Sequence, residues 1–416
     1  MQQKTWPEML FWPINTKISI DYKHLIMEYI LSSSKPIEKN QTTQEVNQAT
    51  DLIIRVLSVI LLLFIFLVGI KILTSGIKFM GGGFAKTLFN FTDNPIMSLL
   101  SGILATSLLQ SSSTTTSIIV GLVSGGALTI QGAIPMIMGA NLGTSVTNTI
   151  VSLAYLKDPK SFKQSFSAAT IHDFFNILSV LVILPIELMT GFIGKLASSW
   201  AISLYGNVSG YKFSSPLKAA IKPFAKSSKT FVIDTLGLTG NAAGSALILL
   251  GAVLTIFALT MIVKVMKKVV ENNKGQIIEK LLSKNPYTAV LFGTLLTISV
   301  QSSSITTSLL VPMAGAGLLS LGSILPVTIG ANIGTTTTAL LASLTGNVAG
   351  LSIALVHFIF NILGTLIWFP SQKMRRLPIY LSETLAHHAA ERKYIGFLYV
   401  GIVFFVLPLT CVFLTQ

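Results

Sequence analysis

The chain has 416 residues, of which 51% are apolar and only 11% charged, and its mean hydropathy is +0.72. A soluble chain carries about a quarter charged residues, so the composition excludes an ordinary soluble domain. The net charge is +14, but the lysines and arginines gather between apolar runs, as at 264–284 and 373–376. They read as loops flanking membrane spans rather than a nucleic-acid surface.

Residues 1–50 are mostly polar and lack a small-residue cleavage site, so they read as a soluble tail with a short helix near 22–32. The first apolar run, LIIRVLSVILLLFIFLVGI at 52–70, approaches the roughly 20 residues that a helix needs to cross a bilayer. A second run fills 244–263 and a third 395–414. These runs predict an all-α polytopic membrane protein. Cys411 is the single cysteine, which excludes an intramolecular disulfide and a cysteine-based zinc cluster. No Walker A string suggests ATP use.

Between the first two runs lies LLQSSSTTTS at 108–117, and nearly the same string, SVQSSSITTS, returns at 299–308. At that offset of 191, Asn94-Pro95 matches Asn285-Pro286, Gly102 matches Gly293, and Pro135 matches Pro326. GANLGTSVT at 139–147 matches GANIGTTTT at 330–338. Further on the offset is 185, pairing His172 with His357, Asn176 with Asn361 and Pro185 with Pro370. The chain therefore divides into a tail (1–50), a first repeat (51–190), a polar linker (191–242), a second repeat (243–370), a basic loop (371–393) and a C-terminal helix (394–416). Duplicated membrane units are characteristic of secondary transporters, often with opposite topology. Loop lysines alone leave the orientation open, because both 264–284 and the linker are basic.

The apolar arms around each Gln-Ser-Ser-Ser, such as 97–109 and 114–123, hold about a dozen residues and suit a re-entrant hairpin better than two spans. Irregular backbone at membrane depth is tolerated where it lines a cavity. The strings at 138–149 and 329–340, rich in glycine, asparagine and hydroxyls, predict a broken helix in each repeat. Lone serines in membrane helices usually serve close packing. Three in a row after a glutamine, written twice, suit a turn with several donors converging on one ligand.

No charged residue occurs from Asn94 to Leu156 or from Asn285 to Gln372. Hydroxyls, N–H groups and helix ends can hold an anion, but neutral donors alone repay the dehydration of a multiply charged oxyanion poorly. Hydroxyls and amide oxygens are also hard ligands, suited to a co-bound alkali ion. The residues thus point to a cation-coupled carrier of an oxyanion or small anion, without naming either ion. Asp173, whose counterpart is Phe358, is an intramembrane carboxylate and so a functional candidate. His172 and His357 are expected to make structural hydrogen bonds rather than carry protons. Asp158 is expected to cap a helix, with a place at a site mouth as the alternative.

The paired Gln-Ser-Ser-Ser strings, GANLGTSVTNTIV, HDFFNILSVLVILPIE and GANIGTTTTALLASL resemble the type II sodium-dependent phosphate cotransporters over about residues 52–370. The resemblance implies two inverted repeats with re-entrant hairpins and sodium-driven, alternating-access import of inorganic phosphate. With this resemblance and the residue chemistry together, phosphate is expected at Ser111, Ser112, Ser113, Thr114, Ser302, Ser303, Ser304 and Thr338. Sodium is expected at Gln110, Gln301, Ser302, Asn141, Asn332, Thr335, Asp173, Asn176 and Asp158. Asp173 matches the aspartate that marks electrogenic members, which implies divalent phosphate. The linker is short and cysteine-free, unlike the large disulfide-bonded loop of animal members, which points to a bacterial relative in the inner membrane. The expected function is a symporter and not an enzyme, with sodium as co-transported ion, no cofactor, a lipid bilayer around it, no nucleic-acid partner and a homodimer left open. Another oxyanion, proton coupling through the histidines, a channel and a membrane scaffold stand as alternatives.

Overall fold

The computed structural model describes residues 37–80, 90–206, 216–270 and 285–414. Residues 1–54 form one unit, whose described part, 37–54, belongs to helix α1 (Ile37–Met80). The short helix expected near 22–32 lies outside the described residues. Residues 55–416 form the second unit. The described residues are predominantly helical and contain no strand, as the composition predicts. Six helices among them are long and apolar enough to cross a membrane: Ile53–Met80, Pro159–Thr190, Gly240–Ile262, Leu321–Ser343, Val348–Trp368 and Lys393–Cys411.

The first repeat continues as α2 (Pro95–Leu109), α3 (Ser112–Gly125), α4 (Ile130–Gly143), α5 (Val146–Ser152) and α6 (Pro159–Thr190). The linker holds α7 (Phe192–Gly206) and α8 (Pro216–Thr230). The second repeat follows as α9 (Gly240–Val270), α10 (Pro286–Val300), α11 (Ser303–Ser308), α12 (Leu310–Gly315), α13 (Leu321–Ser343) and α14 (Val348–Trp368). Helices α15 (Gln372–Glu391), α16 (Lys393–Gly401) and α17 (Leu407–Leu414) close the chain.

Matching residues start matching helices. Asn94 accepts from the N–H of Ile96 and Met97 ahead of Pro95 at the first position of α2, and Asn285 accepts from Tyr287 ahead of Pro286 in α10. An asparagine cap followed by proline satisfies orphan N–H groups and presets φ. Thr129 caps α4 through Gly132 N–H, and Ser320 caps α13 through Ser323 N–H, again 191 positions apart.

Glycines then bring these helices into backbone contact. A Cβ on Gly139 would lie 1.9 Å from the carbonyl oxygen of Leu99, and one on Gly330 would lie 2.0 Å from that of Val290. Gly102 and Gly293 are equally closed, at 2.1 Å from Met136 O and 2.2 Å from Val327 O. The pairs α2–α4 and α10–α13 therefore pack main chain to main chain, as small residues permit in membranes. Helices α1 and α9 cross in the same manner but antiparallel: Gly69 faces Gly251 while Gly76 faces Gly244.

Two expectations need correction. The break predicted in each repeat occurs only in the first, where α4 ends at Gly143 and α5 begins at Val146. In the second, α13 runs unbroken through Gly330–Thr338, with the Thr335 hydroxyl bonding Ala331 O of its own helix at 2.9 Å. The reason lies beyond the glycines. Asn148 draws α5 toward α11, whereas its counterpart, Ala339, has no group to do so. The stretch 371–393, expected as a basic loop, is largely α15. Pro378, Ser382, Ala386 and Ala389 are buried at helical spacing, and the last two pack with Phe162 and Phe166 of α6. The linker is also mostly helical, and buried Glu187 starts α7 by accepting from the N–H of Ile193 at 2.6 Å and Gly194 at 3.1 Å.

Candidate functional site

Each Gln-Ser-Ser-Ser string turns the chain between two helices. Gln110 has φ 53° and ψ 28°, and Gln301 has φ 56° and ψ 27°. They are the two non-glycine residues with positive φ among the described residues. The left-handed conformation costs a side-chain-bearing residue about 1–2 kcal/mol, so something must hold it.

The glutamine side chain supplies that hold, identically in both copies. Gln110 Nε2 donates to Ser107 O at 2.5 Å, and Gln301 Nε2 donates to Ile298 O at 2.6 Å. Each amide oxygen accepts from a threonine: Thr147 Oγ1 to Gln110 Oε1 at 2.8 Å, and Thr338 Oγ1 to Gln301 Oε1 at 2.9 Å. The next serine caps the returning helix. Ser111 Oγ accepts from Thr114 N–H at 3.2 Å, and Ser302 Oγ accepts from Ile305 N–H at 3.4 Å. The two turns then meet, since Ser113 Oγ donates to Gln301 O at 3.3 Å.

Between the turns lies a cavity of about 290 Å³. Its polar lining is Gln110, Ser111, Thr114, Thr147, Thr260, Gln301, Ser302, Ser304 and Ser308, with Leu109, Leu259 and Ile305 as apolar walls. Among the described residues, no charged side chain lines it. The first turn of α3 opens beside it, and the N–H groups of Ser112 and Ser113 precede the helix's own hydrogen-bond ladder. Such a site offers hydroxyl donors, helix N–H groups and several hard oxygen acceptors.

Six of the sequence-predicted residues line this cavity: Gln110, Ser111, Thr114, Gln301, Ser302 and Ser304. Ser112, Ser113, Ser303 and Thr338 are buried and do not line it. Thr335 bonds within its own helix. Asp158 caps α6, accepting from Lys160 and Ser161 N–H and from the Ser161 hydroxyl at 2.5 Å. The Ser161 bonds hold its exposed carboxyl below the usual carboxylate range.

Asn141, Asn332 and Asn176 lie elsewhere, in two reciprocal clasps between the repeats. His172 Nε2 bonds Asn332 Oδ1 at 2.6 Å, and Asn332 Nδ2 donates to Asn176 Oδ1 at 2.8 Å. His357 Nε2 bonds Asn141 Oδ1 at 2.9 Å, and Asn141 Nδ2 donates to Asn361 Oδ1 at 2.9 Å. An amide oxygen only accepts, so each imidazole carries its proton on Nε2. The histidines make structural hydrogen bonds, as expected. Asp173 is buried against Tyr399 of α16, outside the cavity.

Sequence reasoning missed Thr147, Ser308, Asn148 and Tyr399. Thr147 was legible, because its twin Thr338 was chosen and 191 separates them. Asn148 donates to Thr307 Oγ1 at 2.7 Å and accepts from Ser308 at 2.9 Å, linking α5 to the returning arm of the second turn. It has no counterpart to announce it.

A family model described as Na+/Pi-cotransporter matches residues 65–200 and 254–406. The chain belongs to the Na+/Pi-cotransporter family. The matched segments contain both turns, both clasps and Tyr399, and omit 201–253 within and after the linker. Among similar proteins, the sodium-dependent phosphate transport proteins 2B of Pongo abelii and Homo sapiens are each 34% identical over 438 residues, covering 84% of this chain and 63% of theirs. Sodium-dependent phosphate transport protein 2A of Rattus norvegicus is 34% identical over 417 residues, covering 83% of this chain and 65% of its own length. The chain thus spans somewhat less than two thirds of the length of these relatives. No solved structure matches it.

Proposed function

We propose that this chain is a secondary transporter that imports inorganic phosphate together with sodium by alternating access. The observation that carries the reading is the uncharged cavity between two identically built serine turns, in a chain whose family relatives are named for sodium-dependent phosphate transport. Ser111, Thr114, Ser302 and Ser304, with the N–H groups that open α3, would hold phosphate, and Ser112, Ser113, Ser303 and Thr338 would support them from behind. Gln110, Gln301 and Ser302 supply hard oxygens for sodium beside the anion. A multiply charged oxyanion in a site without lysine or arginine needs a co-bound cation to offset its dehydration, which is the physical basis for symport.

Asp173 would take a further sodium ion. With it, divalent phosphate enters with net positive charge, and each charge crossing a 100 mV potential adds about 2.3 kcal/mol of driving force. Asn141, Asn332 and Asn176 would support the ion sites through the clasps and Thr335 from within α13, a humbler role than direct ligation, while Asp158 serves as the cap of α6. Opposed topology of the repeats is supported by the antiparallel crossing of α1 and α9. Re-entrant hairpins are supported by the length of α2 and α10, 15 residues each, since a bilayer crossing takes about 20. We place the protein in a bacterial inner membrane, as a monomer or homodimer. Proton coupling through the histidines is the weaker reading, because each Nε2–H is already committed to an asparagine and each Nδ1 is buried without a hydrogen-bond partner among the described residues.

Uptake of radiolabelled phosphate into proteoliposomes tests the proposal. Uptake should require an inward sodium gradient and stop when choline replaces sodium. Equal uptake in choline rejects sodium coupling, and sulfate that competes as well as phosphate rejects the cargo.

A further inference from the structure

The C-terminal helix lies outside both repeats, yet it reaches the carboxylate that breaks their symmetry. Tyr399 of α16 donates its hydroxyl to Asp173 Oδ2 at 2.9 Å. Asp173 is buried, and its Oδ1 has no hydrogen-bond partner among the described residues. The tyrosine ring is fixed by edge-on contacts with Phe166, at 6.4 Å between centroids and 71°, and with Phe404, at 6.0 Å and 89°. The hydroxyl is therefore delivered by packed aromatic rings and does not swing freely.

An ionised carboxylate has about four acceptor positions, and a buried one needs a counter-charge or several donors. One neutral donor on Oδ2 leaves the charge unanswered and Oδ1 bare. The same bond removes the rotational choice of the carboxylate, so that one named oxygen stays open to a hard cation. Phe358, the counterpart of Asp173, has no carboxylate to orient. We propose that Tyr399 is a positioning residue: by occupying Asp173 Oδ2 it presents Oδ1 to an alkali cation and ties the C-terminal helix to the ion-binding step. This rests on the reading of Asp173 as a sodium ligand, and it adds a residue outside the duplicated unit to that site.

The test separates sodium binding from phosphate transport. The purified full chain in detergent is titrated with sodium chloride against choline chloride, without phosphate, and its thermal stabilisation is recorded. Tyr399→Phe keeps the ring and deletes the hydroxyl. It should raise the sodium concentration for half-stabilisation about three- to tenfold, the range of one neutral hydrogen bond. In an Asp173→Asn background the same change should add nothing. A wild-type midpoint for Tyr399→Phe, an equal further loss in the Asp173→Asn background, or no sodium stabilisation of the wild type overturns the proposal. Infrared difference spectra of the wild type with and without sodium need no folded variant. Sodium should shift a carboxylate band and a tyrosine C–O band together, and a carboxylate shift without the tyrosine shift also overturns it. The same proteins, reconstituted into proteoliposomes, are assayed for phosphate uptake. Tyr399-dependent sodium stabilisation without phosphate uptake supports the positioning role and rejects phosphate as the cargo.

Discussion

The two repeats agree atom for atom at their turns and differ just beside them. Gln110 and Gln301 share a left-handed backbone, a carbonyl partner three residues back and a threonine 37 residues on. Away from the turns, three corresponding positions part company: Asp173 corresponds to Phe358, Asn148 corresponds to Ala339, and the α4–α5 break corresponds to continuous α13. What is duplicated builds the pocket, and what is not duplicated sets how each half contacts the elements around it.

The comparison breaks most severely at the glycines. Gly139→Leu and Gly330→Leu each drive a side chain into a backbone carbonyl, so both should lose about 3 kcal/mol or more of stability and yield little monodisperse protein on size exclusion. A folded Gly330→Leu beside a collapsed Gly139→Leu would show that the second helix pair can part. Next in size is Asp173→Asn, which makes the repeats alike in charge. Current per phosphate in voltage-clamped proteoliposomes should fall toward zero net charge, while phosphate uptake persists, and an unchanged ratio removes Asp173 from the ion step.

Gln110→Ala and Gln301→Ala lose two hydrogen bonds each and keep the left-handed cost, so each should lose about 2 kcal/mol by thermal unfolding and weaken phosphate uptake. Glycine at either position should rank between glutamine and alanine, because it removes the backbone cost but not the lost bonds. If glycine matches glutamine, the clamp is dispensable. Asn148→Ala should cost about 1–2 kcal/mol, less if a water replaces the amide, and raise the phosphate half-saturation. The reverse change, Ala339→Asn, puts an unpartnered amide into a fully buried position of α13 and should itself cost about 1–3 kcal/mol by thermal unfolding.

The smallest effect belongs to Asp158. Its carboxyl is held below the usual range by the Ser161 bonds, so its contribution is complete above about pH 4, the unfolded value, and fades as the pH falls through the lower native one. Asp158→Asn should therefore flatten the acid limb of the melting profile and leave sodium activation unchanged. A shift in sodium activation would instead restore Asp158 to the ion path.

The turns were legible because two copies of a string in one chain act as their own alignment. Their cavity needed only the further fact that charges avoid 94–156 and 285–372. The clasps were not legible. The asparagines in the two GAN strings look like ion ligands locally, and their histidine partners stand 160 and 216 residues away. Helix α15 was hidden because Lys373, Arg375 and Arg376 dominate its start while small residues, Ala386 and Ala389, form its buried stripe. Tyr399 had no signal at all, being one aromatic among many in an apolar helix outside the repeat.

The clasps also carry the symmetry of a dimer within one chain. In each, the histidine of one copy takes the asparagine of the other, which returns its amide to the first: 172 with 332 and 176, then 357 with 141 and 361. Residue i meeting j′ while j meets i′ is the signature of an isologous twofold interface between identical subunits. Within one polypeptide, that arrangement forms part of the interior. A chain holding a single copy would find, in a second molecule of itself, every clasp partner that the joined chain now supplies in cis.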